Sequence, residues 1–157
     1  HCVRKYKAVF QISPGVKEQS IAIKDDIIKR HSEKRVIALQ QRHNRGPSLF
    51  IQHLLKQEEK NIEVFNIYST NVDSIRKFFN DTQVVIILSS NKPFVSKLLS
   101  STGSIDSTSI VYGLNIWQKY DNLDIENLME LNVHLPVPNI FNYKNFTKTI
   151  IGKYLIS

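Results

Sequence analysis

Five histidines, one cysteine and a few polar groups beside apolar runs are the residues of this 157-residue chain that could do chemistry rather than packing. His1, His31, His43, His53 and His134 show no H-E-x-x-H or comparable step that would turn two imidazoles toward one zinc ion, so no metal site is expected. His53, on a helical pattern, and His134, within an extended run, read as structural histidines. Cys2 stands alone, which excludes an internal disulfide and a thiolate cage, and it reads as an incidental thiol. No G-x-S-x-G turn supplies a serine nucleophile. A phosphate-cradling loop needs several glycines after the first strand of a sheet, and only Gly46 is placed there. A phosphoryl-accepting signalling domain needs a carboxylate at the end of a central strand, where this chain has Gln40, Ser89 and Ser90. The residues therefore point away from enzymatic chemistry, and no cofactor is expected.

The formal net charge of +7 is concentrated at the front. Residues 1–47 carry 11 Lys and Arg against 4 Asp and Glu, whereas residues 48–157 carry 10 of each. A basic block of this kind can meet an anionic surface, yet "KRHSEKR" (Lys29 to Arg35) reads more simply as a solvated helix end, where cations complement the helix dipole. No zinc finger, helix-turn-helix or aromatic-interleaved RNA motif accompanies the block, so nucleic acid is not the favoured partner.

Positioning of the polar groups depends on five short runs rich in β-branched residues: "RVIALQ" (35–40), "EVFNIY" (63–68), "QVVIILS" (83–89), "SIVYG" (109–113) and "NVHLP" (132–136). These read as strands. Val84 to Leu88 are apolar at consecutive positions, the pattern of a strand covered on both faces of a parallel sheet. Between the strands lie helical patterns with recognisable starts. Pro47 opens "PSLFIQHLLKQEEK", Asn71 caps "VDSIRKFF" and Asn91 caps "KPFVSKLL". Ile75, Phe78 and Phe79 form one sheet-facing stripe, and Phe94, Val95, Leu98 and Leu99 another. Ala8 to Ile12 read as an extended piece before a helix capped by Ser13, with Pro14 at its first position. Ile125, Leu128 and Met129 read as a short helix, and Phe146, Ile150, Ile151 and Tyr154 as a closing one.

Strand and helix alternate, which means an α/β fold, and every gap is long enough for a right-handed crossover between parallel strands. The expectation is one three-layer, flavodoxin-like or Rossmann-like lobe over residues 1–157 with a mostly parallel five-stranded sheet in the order 2-1-3-4-5. Functional loops in such a sheet leave the carboxyl ends of the strands: "QRHNRGP", "STN", "SSNKP", "LNIWQKYDN" and "VPN". No apolar run approaches the roughly 20 residues that span a bilayer. The chain starts at His1 with no leader pattern, so it is expected to be a piece of a longer one.

Four phrases resemble the type 1 periplasmic-binding-protein fold, in particular the receptor-like domain of bacterial envelope proteins that carry LysM peptidoglycan-binding modules. "VFQISPGVKEQSIAI" is similar to the hinge-crossing strand and helix that begin the second lobe. "KRVIALQQRHNRGPSLFIQHLLKQ" resembles the next strand, cleft loop and helix, and "VVIILSSNKPFVSKLLS" the third unit. "VYGLNIWQKYDNLDIENLMELNVHLPVPNIFNYKNF" carries the most specific likeness, with a glycine after the strand and a tryptophan in the following turn.

The resemblance implies the second of two lobes, with a ligand cleft completed by a partner lobe elsewhere in the same chain. It implies a non-enzymatic solute-recognition or sensor function in the periplasm or cell envelope. The solute would be a small polar molecule such as an amino acid, a peptide or a peptidoglycan fragment. The alternative is an envelope interaction module accessory to a cell-wall amidase domain. Carried onto this sequence, the ligand candidates are Arg45, Ser90, Asn91 and Asn115, with Trp117 either packing the turn or walling the cleft. Each polar candidate also has a structural role open to it: Asn91 as a helix cap, Asn115 in a turn, Arg45 as a solvated charge. No acidic or aromatic anchor for an α-amino group stands at these positions.

Overall fold

The computed structural model of the chain describes residues 15–41, 45–79, 83–103, 105, 109–121, 123 and 132–136. Helix α1 (Val16–Arg30) leads into strand β1 (Arg35–Gln40), helix α2 (Gly46–Gln57) and strand β2 (Ile62–Asn66). Helix α3 (Val72–Ile75), continued by a 3-10 turn at Arg76–Phe78, precedes β3 (Gln83–Ile86) and α4 (Lys92–Thr102). Strand β4 (Ile110–Tyr112), a second 3-10 turn (Asn115–Lys119) and β5 (Val133–His134) complete the described elements. The extended piece over residues 8–12, the cap at Ser13 with Pro14, the helix of Ile125, Leu128 and Met129, and the closing helix lie outside the described residues.

The sheet has the order β2-β1-β3-β4-β5, and all four pairings are parallel. This is the expected topology. A parallel sheet needs apolar cover on both faces, and the sequence supplies it: Val36 to Leu39 in β1 and Val84 to Leu88 in and after β3 are buried at consecutive positions. Helix α1 packs against α2, and α3 against α4. Ile23 and Ile27 from α1, Ile51 and Leu55 from α2, Ile75 and Phe78 from α3 and its extension, and Phe94, Val95, Leu98 and Leu99 from α4 join the strands in one core.

The two asparagine caps have the geometry expected of them. Asn71 Oδ1 accepts from the Ser74 amide at 2.9 Å, and Asn91 Oδ1 accepts from the Phe94 amide at 3.0 Å, each quenching a helix donor that has no partner within the helix. Pro47 and Pro93 sit in the first turns of α2 and α4, where a missing amide hydrogen costs nothing.

Strand ends differ from the sequence expectation because hydrogen-bond register, not side-chain type, ends a strand. β1 spans the expected residues. β2 ends at Asn66, whose register partner is Gln40, the last residue of β1; Ile67 donates one further amide to Gln40 O at 2.8 Å, and Tyr68 turns out into solvent. β3 ends at Ile86, although the Ile87 amide still reaches Tyr112 O at 2.8 Å. Helix α2 ends with Glu59 in the left-handed region at φ 55°, and the Lys60 amide bonds back to Leu55 O at 2.9 Å. That is a Schellman-type stop made with a glutamate where glycine is usual.

Candidate functional site

In an open parallel sheet, ligands meet the carboxyl ends of the strands, at the place where the strand order reverses. Here β1 leads outward to β2 on one side while β3 begins the run toward β4 and β5 on the other, so the reversal falls between β1 and β3. The loops leaving β2 and β3 stand on either side of the chain leaving β1.

Those two flanking loops share one local construction. After β2, Ser69 Oγ accepts from the Asn71 amide at 3.4 Å, and Asn71 caps α3. After β3, Ser89 Oγ accepts from the Asn91 amide at 3.2 Å, and Asn91 caps α4. A Ser-x-Asn step suits such a turn, because short polar side chains can bond to the backbone two and three residues on.

The β3 loop is further held from the side of β4. Trp117 is fully buried, and its indole Nε1–H donates to Ser89 O at 2.8 Å. Tyr120 donates its hydroxyl to Ser90 O at 2.7 Å, and burial raises the pKa of that phenol. The Trp117 ring also accounts for Gly113. A Cβ on Gly113 would fall 2.3 Å from the ring Cζ3 and 2.5 Å from Cε3, while Gly113 has no positive φ. Glycine is required here for space and not for backbone conformation. The glycine-to-tryptophan spacing noted in the sequence thus has a mechanical basis: the indole lies over the end of β4 and reaches across to the end of β3.

Between the two Ser-x-Asn turns lies a cavity of about 450 Å³, lined by Gln41 just after β1, Ile67 to Thr70 after β2, Asn91 after β3, and Pro93, Phe94 and Lys97 from α4. Its size falls in the range of small-molecule sites, about 300–1,000 Å³. Next to Gln41, the Gln40 side chain is buried and clamps β1 to β2 by donating Nε2–H to Asn66 Oδ1 at 3.1 Å; its own Oε1 has no hydrogen-bond partner among the described groups.

Of the five candidates read from the sequence, Asn91 lines this cavity. Ser90 is exposed beside it. Arg45 is exposed at the start of α2. Asn115 lies toward the β4–β5 side, where its amide N–H donates to Gln19 Oε1 at 2.8 Å and its Nδ2 donates to Pro136 O at 3.0 Å. Trp117 exposes no surface and is committed to the Ser89 carbonyl. The cavity residues that the sequence reading did not single out are Gln41, Tyr68, Ser69, Thr70 and Lys97. The strand-end loops "QRHNRGP" and "STN" contain or adjoin four of them. Lys97 follows Pro93 by four residues on α4, hence on the same helix face, which was the available signal.

A second cluster of titratable side chains joins α1 to β4 and β5. Tyr112 donates its hydroxyl to Asp26 Oδ2 at 2.6 Å, while Arg30 holds Asp26 Oδ1 at 2.8 Å. Burial, then the Asp26 carboxylate, drives the Tyr112 pKa far up. The His31 ring lies edge-on to Tyr112 and to His134, with centroids 6.3 and 6.4 Å away. Desolvation lowers the His31 pKa against the opposing pull of Asp26, and His31 Nε2 is buried with no hydrogen-bond partner among the described groups. This cluster pins the helix to the sheet. Among the described residues no group of three or more His, Cys, Asp or Glu is disposed to hold a metal ion, and no helix is long and apolar enough to cross a membrane.

Compared with known proteins, the chain matches no family model and no curated sequence.

Proposed function

We propose that this chain is a non-enzymatic solute-recognition or sensor lobe, taking a small polar ligand at the carboxyl ends of its parallel strands. The observation that carries the reading is the cavity between the β2 and β3 turns, with neutral hydrogen-bonding groups and one lysine on its described wall. Its β3 side is anchored to the core through the Trp117 and Tyr120 hydrogen bonds. A binding face works when its polar groups are fixed before the ligand arrives, because their ordering then adds nothing to the cost of association.

On this reading the lobe belongs to an extracytoplasmic two-lobed protein, in the manner the type 1 binding-protein resemblance implies. Closure of the second lobe would bury the ligand and raise the worth of each hydrogen bond. An envelope interaction module is the competing reading; the exposed Ile21 and Leu49 on the packed pair α1 and α2 favour it. Thermal-shift and calorimetric screening of the intact two-lobed protein against amino acids, short peptides and muropeptides separates the two. Near-stoichiometric stabilisation by a small solute is the expected result. Binding to wall polymer or to a protein partner alone would sink the solute reading.

A further inference from the structure

The described wall of the strand-end cavity is unbalanced in charge. Lys97 is its one cation, no carboxylate stands among its described lining residues, and none of the ion pairs formed by the described residues involves Lys97. A zwitterionic amino acid placed there would leave its ammonium group without a counter-charge. An amino sugar would set a second cation beside the first. A monoanion suits the site.

Two further features give the anion a shape. Tyr68 is 78% exposed at the cavity wall, and its aromatic ring offers an apolar face to a flat partner. Around it are hydroxyls from Ser69 and Thr70 and amides from Gln41 and Asn91. Asn91 commits its Oδ1 to the helix cap, which turns its two Nδ2 hydrogens into the available donors. Many neutral hydrogen-bonding groups, one aromatic face and one cation match a ring that carries several hydroxyls and one carboxylate.

We propose that the cavity takes a sugar acid, with its pyranose ring against Tyr68, its hydroxyls on Ser69, Thr70, Asn91 and Gln41, and its carboxylate paired with Lys97. The inference rests on the solute reading of this face and adds the ligand's class to it. The test uses three probes of one ring and different charge, namely galacturonate, galactose and galactosamine, titrated into the isotope-labelled 157-residue chain at low ionic strength and neutral pH. A ligand of this size on an open half-site binds with a Kd of about millimolar.

Galacturonate is expected to bind about three- to fivefold more tightly than galactose, as befits one solvated ion pair, and galactosamine more weakly than either. Lys97→Gln should bring galacturonate and galactose to the same affinity, and added salt should narrow their difference. Tyr68→Ala should weaken both. Lys97 and Tyr68 are exposed, so neither substitution touches the core. Equal or tighter binding of galactose or galactosamine overturns the inference, as does a galacturonate preference that survives Lys97→Gln. If a zwitterionic amino acid or dipeptide shifts the cavity amides while the sugars do not, the sugar-acid inference fails and the solute reading stands. If neither sugars, amino acids nor peptides shift them, both fail.

Discussion

Gly113→Ala is expected to be among the most damaging single-methyl additions to this fold. The new Cβ would meet Trp117 at 2.3, 2.5 and 2.6 Å from three ring carbons, all far inside van der Waals contact. The indole cannot simply swing away, because it is fully buried and its Nε1–H is bonded to Ser89 O at 2.8 Å. Overpacking a filled core costs about 1–3 kcal/mol, and a displaced indole loses a buried hydrogen bond worth about 1 kcal/mol. The substitution should therefore destabilise by about 2–4 kcal/mol, lowering Tm by about 4–16 °C in a chain of this length. Urea unfolding followed by far-ultraviolet circular dichroism measures it. The diagnostic comparison is the double-mutant cycle with Trp117→Leu. Leucine vacates the clashing atoms, so adding Gly113→Ala in that background should cost less than about 0.5 kcal/mol, leaving a coupling of about 1.5 kcal/mol or more. A penalty of the same size in both backgrounds would refute the steric argument, and so would a wild-type-like Gly113→Ala protein.

Three more outcomes follow from the same structure. Glu59→Gly should stabilise by about 0.5–1 kcal/mol in the same unfolding assay, because glycine relieves the left-handed strain at φ 55° and gives back part of the gain as unfolded-state entropy. Asn91→Ala should cost about 1 kcal/mol by loss of the α4 cap and Asn91→Asp much less, since the carboxylate can still accept from the Phe94 amide. His31 has a pKa lowered from its ordinary 6.5 by desolvation, so the unfolded chain takes up the proton first as pH falls. Its contribution to stability is therefore intact above about pH 6.5 and is lost as pH drops through the lower folded-state value. Unfolding free energies at successive pH values should fall more steeply in this window for the natural chain than for His31→Asn.

The sequence was most legible where a residue type performs one local task. The consecutive apolar residues of β3, the caps at Asn71 and Asn91 and the helix-opening Pro47 each depend on neighbours within a few positions, and each is where the sequence placed it. The alternation of these elements called for a parallel sheet, and the observed order 2-1-3-4-5 is one of the common doubly wound arrangements it allows. Strand ends were less legible. Tyr68 belongs to a β-branched run, yet the ladder with β1 ends at Gln40 and Asn66, and nothing in residues 63–68 reports where a partner strand stops. The site was the least legible part. Gln41, Tyr68 and Lys97 are ordinary surface residue types, brought together only because β1 lies between β2 and β3 in the sheet. Asn115 is the converse: its turn position could be read, but its bonds to Gln19, 96 residues earlier, and to Pro136 could not. Trp117 had packing and cleft roles open to it, and in the structure its polar atom is satisfied inside the core.

Solute is expected to meet this lobe at the strand-end cavity, which amide chemical-shift mapping with a screened ligand checks. Saturable shifts should concentrate at Gln41, Ser69, Thr70, Asn91 and Lys97, with α1 and the outer face of α2 unmoved. Shifts centred on Ile21 and Leu49, or on the Tyr112, His31 and His134 cluster, with the cavity amides silent, would contradict it.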